Sequence, residues 1–196
     1  MSEIKYFPHN LNVEDKNIIV RVDLNVPLKD KKIQDLTRIN QVIPFLQNLV
    51  KKKAKIILIS HLGRPKGMKD SALSLLPVYK YLKENLNTNM YFYAGEINNK
   101  VKEKISYLKG SEILLIENIR FFKEETENDE EFSKKLGALG EIYVNDAFSC
   151  SHRKQSSIHN ITKFVKEIYG GPLLEKEITA INSVIKNKKN PVTCII

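Results

Sequence analysis

The chain has 196 residues, of which 42% are hydrophobic and 28% charged, a balance that fits a soluble globular protein of one domain or one domain plus a fragment. No apolar run approaches the ~20 residues that span a bilayer, the opening MSEIKYFPHN lacks the basic-then-apolar layout of a signal peptide, and the two cysteines, Cys150 and Cys194, make no disulfide framework, so no membrane is expected and a reducing cytoplasm is the expected home. The net charge of +9 suits a solubilising lysine surface or a small anionic ligand; nucleic acid is not expected, because there is no arginine-rich tract and no interleaved aromatic platform for stacking bases.

In chain order, an apolar, β-branched run at 18–22 predicts a strand that ends in Asp23-Leu24-Asn25-Val26-Pro27. A helix is predicted over 36–52, where Ile39, Val42, Ile43, Leu46, Leu49 and Val50 form an apolar stripe. A strand at 56–59 leads into Ser60-His61-Leu62-Gly63-Arg64-Pro65. A helix at 74–86, a strand at 90–93 and a helix at 97–108 follow. The strand at 113–116 leads into Glu117-Asn118-Ile119-Arg120-Phe121. After a helix at 129–139, the strand at 142–144 leads into the polar loop Asn145–Arg153. Gly170-Gly171-Pro172 reads as a breaker, a charged helix follows at 173–187, and a sixth strand starts at Pro191 and runs to Ile196. Near-continuous apolar strands alternating with helices predict an α/β fold: a Rossmann-like three-layer sandwich with a mainly parallel sheet of about six strands and helices on both faces.

Four of these strands end in a loop that carries a cation or a carboxamide. In a parallel sheet those ends share one edge, where open α/β sheets bind their ligands. Arg64, Arg120 and Arg153 are therefore expected to converge, with Arg38 joining from the start of the first helix. Guanidiniums and two histidines, His61 and His152, in one cleft raise the cost of folding unless an anion answers them, and the planar fork of arginine matches a carboxylate or phosphate. Each residue alone has a plainer reading: an arginine can pair with a nearby Asp, the histidines can be polar packing, and Asp23 and Asn25 can be turn residues before Pro27. The recurrence at four strand ends favours a site. Arg21 is expected to be structural, since it shares a strand face with Asp23. A Cys150–His152 nucleophile is not expected, because in an extended segment the two sit about 7 Å apart. The four histidines show no zinc spacing, and neither GxxxxGK[ST] nor GxGxxG is present.

The segments RVDLNVP (21–27), DLTRI (35–39), SHLGRP (60–65), ENIRF (117–121), VNDAF…HR (144–153) and GGPLLEKEI (170–178) resemble, in order, signatures of the phosphoglycerate kinase family. The resemblance implies reversible phosphoryl transfer between 1,3-bisphosphoglycerate and ADP, giving 3-phosphoglycerate and ATP, a step of glycolysis and gluconeogenesis. It implies a 3-phosphoglycerate-binding domain at 1–170, an interdomain hinge helix at 171–189, and at 190–196 the first strand of a nucleotide-binding domain that would take Mg-ATP or Mg-ADP. This chain alone is then expected to bind 3-phosphoglycerate without turnover, as a monomer, with no metal or nucleotide site of its own. By the same resemblance, Arg64, Arg120 and Arg153 with His61 grip the phosphate and acid ends of the substrate. Asp23, Leu24 and Asn25 hold its hydroxyl and carboxylate region, Leu62 and Gly63 belong to the substrate loop, and Arg38 is the catalytic residue that reaches the phosphoryl group in flight. Where the family commonly carries a second histidine after HR, this chain has Gln155, for which no charge role is expected. A stand-alone anion-binding module without catalysis is the alternative reading.

Overall fold

Alternation along the central strand β1 (Asn17–Val22) creates two cores. Ile18, Val20 and Val22 enter one, and Ile19 enters the other, as the two-residue period of a strand requires. The computed structural model describes residues 4–186. A two-stranded hairpin, β2 (Leu28–Lys29) and β3 (Lys32–Ile33), follows β1 and precedes α1 (Thr37–Lys51). Then come β4 (Lys55–Ile59), α2 (Leu76–Asn85), β5 (Met90–Tyr93), α3 (Asn99–Ser106) and β6 (Ile113–Ile116). A short α4 (Lys123–Glu127) precedes α5 (Glu130–Gly137), β7 (Ile142–Asp146), β8 (Glu167–Gly170) and α6 (Pro172–Lys186).

Six strands form one sheet in the order β5-β6-β4-β1-β7-β8, and every pairing in it is parallel. Because all six strands run the same way, the loops after β1, β4, β6 and β7 emerge from one edge. The β1 core packs against α1 and α2 through Ile39, Val42, Leu46, Val78 and Leu82. The opposite core takes Val101 and Ile105 of α3 and Phe132 and Leu136 of α5. Helices therefore cover both faces, as expected of a three-layer sandwich.

The helix starts are fixed by short polar side chains. Asn98 accepts from Lys100 N at 2.9 Å ahead of α3, and Asp129 from Phe132 N at 2.7 Å ahead of α5, whose first turn also carries Glu130 and Glu131. Pro172 opens α6 at a position where a missing N–H costs nothing.

Two expectations change. The sixth strand of the described sheet is β8, just before the glycine pair, in a segment with no predicted strand. It pairs with β7 on one side, and on its outer side Phe7 N donates to Gly170 O at 2.9 Å and Gly170 N to Lys5 O at 2.8 Å, so the N-terminal segment covers the edge. Gly170 thus ends a strand instead of merely breaking the chain. The strand predicted at 190–196 lies outside the described residues.

Candidate functional site

The loop after β1 is tied to the loop after β4 by one hydroxyl. Ser60 Oγ donates to Val22 O at 2.8 Å and accepts from Leu24 N at 2.9 Å, which leaves Leu24 fully buried between the partly buried Asp23 and Asn25. Asn25 Oδ1 then accepts from Gly63 N at 2.8 Å. Gly63 sits at φ +60°, and a Cβ there would lie 2.6 Å from Leu73 Cδ2, so glycine is favoured by the backbone and a side chain there would push Leu73 aside.

The loop after β6 is fastened by Asn118, which is wholly buried. Its Oδ1 accepts from Leu62 N at 3.2 Å and Arg120 N at 3.1 Å, and its Nδ2 donates to Leu62 O at 2.7 Å and Leu73 O at 2.9 Å. The residues Ile119–Phe121 form a 3-10 turn that aims Arg120 back across the sheet edge. Arg120 Nη1 donates to Gly63 O at 2.8 Å and Nη2 reaches Gln155 Oε1 at 3.4 Å, while its buried Nε has no partner. Burial, and then the neighbouring Arg153, lower the Arg120 pKa. Gln155 is therefore an uncharged acceptor inside the site.

His61 lies among these cations and is 3% exposed. Burial first, then the charges of Arg21, Arg120, Arg153 and Arg38, drive its pKa down to about 2. It is neutral at physiological pH, so the cationic cluster is made of arginines alone. The buried Nε of Arg153 also has no partner. Arg38 leads out of the first turn of α1 and is paired: its Nη1 donates to Asp23 Oδ2 at 2.6 Å and to Asn25 O at 3.3 Å. Ser149 Oγ donates to the same Asp23 oxygen. A cleft of about 210 Å³ opens beside this pair, lined by Asp23, Arg38, Asp146, Ser149, Leu173 and Lys176 among others.

The structure thus brings together Asp23, Leu24, Asn25, Arg38, His61, Leu62, Gly63, Arg120 and Arg153. Arg64 is placed differently: it is exposed on the β4 loop beyond Gly63 and makes no hydrogen bond or ion pair with the described residues. His152 is exposed and makes no hydrogen bond to the described residues. Phe148–Cys150 is a 3-10 turn and not an extended segment, and Cys150 Sγ approaches His61, 3.8 Å from Nδ1.

Arg21 is structural, as expected, but not through Asp23: it is wholly buried and contacts His61 and Ser157. One functional neighbour escapes sequence reasoning. Asp146, at the end of β7, accepts from Leu173 N at 2.7 Å and Leu174 N at 3.1 Å and so fixes the start of α6. A Cβ on Gly171 would lie 2.5 Å from the Asp146 carboxyl, so Gly171 lets α6 approach that cap. The VNDAF and GGPLL segments hold the sequence signal for this contact, an acid at a strand end and a glycine pair with no partner assigned to either.

The chain matches the family profile described as phosphoglycerate kinase over residues 9–196. It is 43% identical over 187 residues to a phosphoglycerate kinase of Wolbachia pipientis, covering 95% of this chain and 46% of that relative. It is 45% identical over 186 residues to a Nostoc phosphoglycerate kinase, covering 94% and 46%. The solved phosphoglycerate kinase of Coxiella burnetii superposes with a TM-score of 0.82 at 34% identity, over 93% of this chain and 45% of that one. That of Pyrococcus horikoshii does so with a TM-score of 0.82 at 30% identity, over 95% and 47%. The chain spans about half the length of the curated relatives it matches. With the ordered motifs, the parallel sheet and the profile in agreement, this chain belongs to the phosphoglycerate kinase family.

Proposed function

We propose that this chain supplies the 3-phosphoglycerate-binding part of an enzyme that transfers a phosphoryl group reversibly between 1,3-bisphosphoglycerate and ADP, giving 3-phosphoglycerate and ATP. The observation that carries the reading is a pair of guanidiniums, Arg120 and Arg153, each with a buried Nε that lacks a partner, at the edge of a parallel sheet. A buried unpaired donor costs about 1–3 kcal/mol, more when charged, and an anion would repay it. Charge-assisted bonds contribute roughly 1.5–3 kcal/mol each, so three or four suffice for a small phosphorylated acid after the cost of association.

On this reading, Arg120 and Arg153, with Arg64 closing in from the solvent side, hold the charged ends of the substrate. Leu24, Leu62 and Gly63 supply backbone at the loops, and Asp23 and Asn25 receive the hydroxyl and carboxylate region. Arg38 is the catalytic residue. Phosphoryl transfer needs in-line positioning and charge stabilisation more than covalent help, and a guanidinium held at the transferring group provides both. Residues 1–170 are the substrate domain, and the interdomain segment proposed at 171–189 begins with α6, whose start Asp146 caps. The nucleotide, Mg-ATP or Mg-ADP, is a co-substrate bound outside this part of the enzyme. Among the described residues no group of three or more His, Cys, Asp or Glu side chains is placed to hold a metal, and the reading gives magnesium no ligand here. No described helix is long and apolar enough to cross a membrane, and a cytoplasmic monomer is part of the reading.

Titration calorimetry of the folded chain with 3-phosphoglycerate tests it. Binding is expected, weakened about tenfold or more by Arg120→Ala and by Arg153→Ala, each of which removes a charged bond. Arg38→Ala is expected to leave most of this affinity and to abolish phosphoryl transfer in the complete enzyme. A folded sample that gives no heat with 3-phosphoglycerate would falsify the reading.

A further inference from the structure

The groups that touch the His61 ring dictate where its proton sits. Arg21 is wholly buried, and each of its nitrogens donates: Nε to Ser157 Oγ at 3.1 Å, Nη1 to Val22 O, and Nη2 to His61 Nδ1 at 3.1 Å. An arginine keeps its protons in a protein and has no lone pair to offer. The contact therefore requires a lone pair on Nδ1, and the one ring proton must be on Nε2. We propose that Arg21 is a positioning residue that holds His61 as the neutral Nε2–H tautomer, so that His61 meets an anionic ligand as a hydrogen-bond donor and not as a cation.

Arg21 is itself oriented from behind. Ser157 Oγ donates to Glu125 Oε1 at 2.6 Å and Ser157 N to Glu125 Oε2 at 2.8 Å, while Tyr143 Oη donates to Ser157 O at 2.7 Å. Glu125 and Ser157 are both 0% exposed. The chain of donors has one direction, from Arg21 through the single Ser157 hydroxyl proton to a carboxylate that accepts on both oxygens. Burial raises the Glu125 pKa, while Arg21 and the two Ser157 bonds favour its ionised form, in which it answers Arg21 and leaves Nη2 to point at His61. The other charged groups around the ring are Arg38 from α1, Arg120 from the loop after β6 and Arg153 from the loop after β7. A protonated His61 would add a fifth positive charge to these four. Among the described residues, Nε2 makes no hydrogen bond to an oxygen or nitrogen; only the Cys150 thiol approaches it, at 3.9 Å. The donor that the tautomer creates is therefore unspent.

The tautomer follows from the protein alone. Its use toward 3-phosphoglycerate rests on the function proposed above, and the two are measured separately. Long-range proton–nitrogen NMR on the histidine-labelled 196-residue chain, without ligand, reads the tautomer directly, and His61→Gln assigns its signals among the four histidines. The expected spectrum has a lone pair on Nδ1 and a proton on Nε2, unchanged between about pH 5 and 8, where an ordinary histidine titrates. A proton on Nδ1, or both nitrogens titrating in that range, overturns the proposal whatever the chain binds. Ser157→Ala is expected to release Arg21, mix the tautomers and weaken 3-phosphoglycerate binding about tenfold. Ser157→Thr keeps the hydroxyl and is expected to restore both. A Ser157→Ala protein with His61 still locked and affinity unchanged counts against the relay. If that variant does not fold, the wild-type spectrum alone decides. Failure of the unaltered chain to bind 3-phosphoglycerate, with the tautomer as stated, removes the proposed function and leaves the positioning role standing.

Discussion

Asp146→Asn isolates a carboxyl that folding makes harder to ionise. Asp146 is 2% exposed, and its Oδ1 takes both α6 amides while its buried Oδ2 has no partner. Burial outweighs the two amide bonds and raises its pKa from 3.8 to about 6. The folded protein then holds this proton more tightly than the unfolded chain, so ionisation opposes folding. The effect is absent below about pH 4, where both states are protonated, grows between about pH 4 and 6, and is constant above. About two pKa units at 1.36 kcal/mol each give roughly 3 kcal/mol. Asparagine keeps an Oδ1 acceptor for α6 and cannot ionise. The stability of the variant minus that of the parent should therefore rise by up to about 3 kcal/mol between pH 4 and 7. His61 titrates the opposite way: its folded pKa is depressed to about 2, so the stability it contributes above its unfolded pKa is lost as pH falls. That contribution is common to both proteins and cancels in the difference. Urea unfolding followed by circular dichroism across this pH range reads the quantity. A difference that is flat with pH refutes the burial argument. One that falls with rising pH shows that attraction between the carboxylate and the α6 N-terminus wins instead.

Asn118→Leu should orphan the buried backbone groups of Leu62, Leu73 and Arg120 that the amide now satisfies, at about 1–3 kcal/mol for each one left unpaired, a loss of several kcal/mol by denaturant titration. A variant within 1 kcal/mol of the parent would mean that water or a shifted loop replaces the amide. Gly63→Ala places a Cβ at φ +60° and against Leu73, and should cost about 1–2 kcal/mol in stability. It should also weaken 3-phosphoglycerate binding, because Gly63 N and Gly63 O hold Asn25 and Arg120; calorimetry showing unchanged affinity would separate the backbone from the site. Arg120→Lys, which keeps the charge but loses the fork that spans Gly63 O and Gln155, should bind 3-phosphoglycerate about tenfold more weakly than the parent, and equal affinity would reduce Arg120 to a point charge.

The strands of the sheet interior were legible because each is a run of Ile, Leu or Val buried on both faces, a composition that few other environments tolerate. β8 was not, because Glu167, Ile168 and Tyr169 are only partly buried, and its outer side is covered at Gly170 by Lys5, Tyr6 and Phe7, more than 150 residues away in sequence. The convergence of Arg120 and Arg153 was legible from the topology, since parallel strands place their following loops together, but the same argument also expected Arg64, which is exposed instead. The neutrality of His61 was not, because it depends on burial and on four arginines brought from four separate segments. Glu125 illustrates the same limit. In Lys123-Glu124-Glu125-Thr126-Glu127 nothing distinguishes the one acid that turns inward to Ser157 from its exposed neighbours.

The distribution of counter-charges also separates the arginines by what each can do. Arg21 is answered through Ser157 by Glu125 and is held on all sides, so it is fixed. Arg120 and Arg153 have no carboxylate within ion-pair distance among the described residues and carry orphaned donors, so an arriving anion gains most by meeting them first. Arg38 is different again. It is paired with Asp23, with the Arg38 side chain 47% and the Asp23 side chain 14% exposed. Solvent reaches the guanidinium and partly screens the pair. Of the arginines in the cluster, Arg38 is therefore the one placed to leave its partner, and the same movement would free Asp23 for a hydroxyl. On the proposed reading this is the behaviour required of the residue that must follow a phosphoryl group: the substrate is gripped by arginines that no carboxylate answers, and the transfer is assisted by the one whose present partner is the easiest to give up.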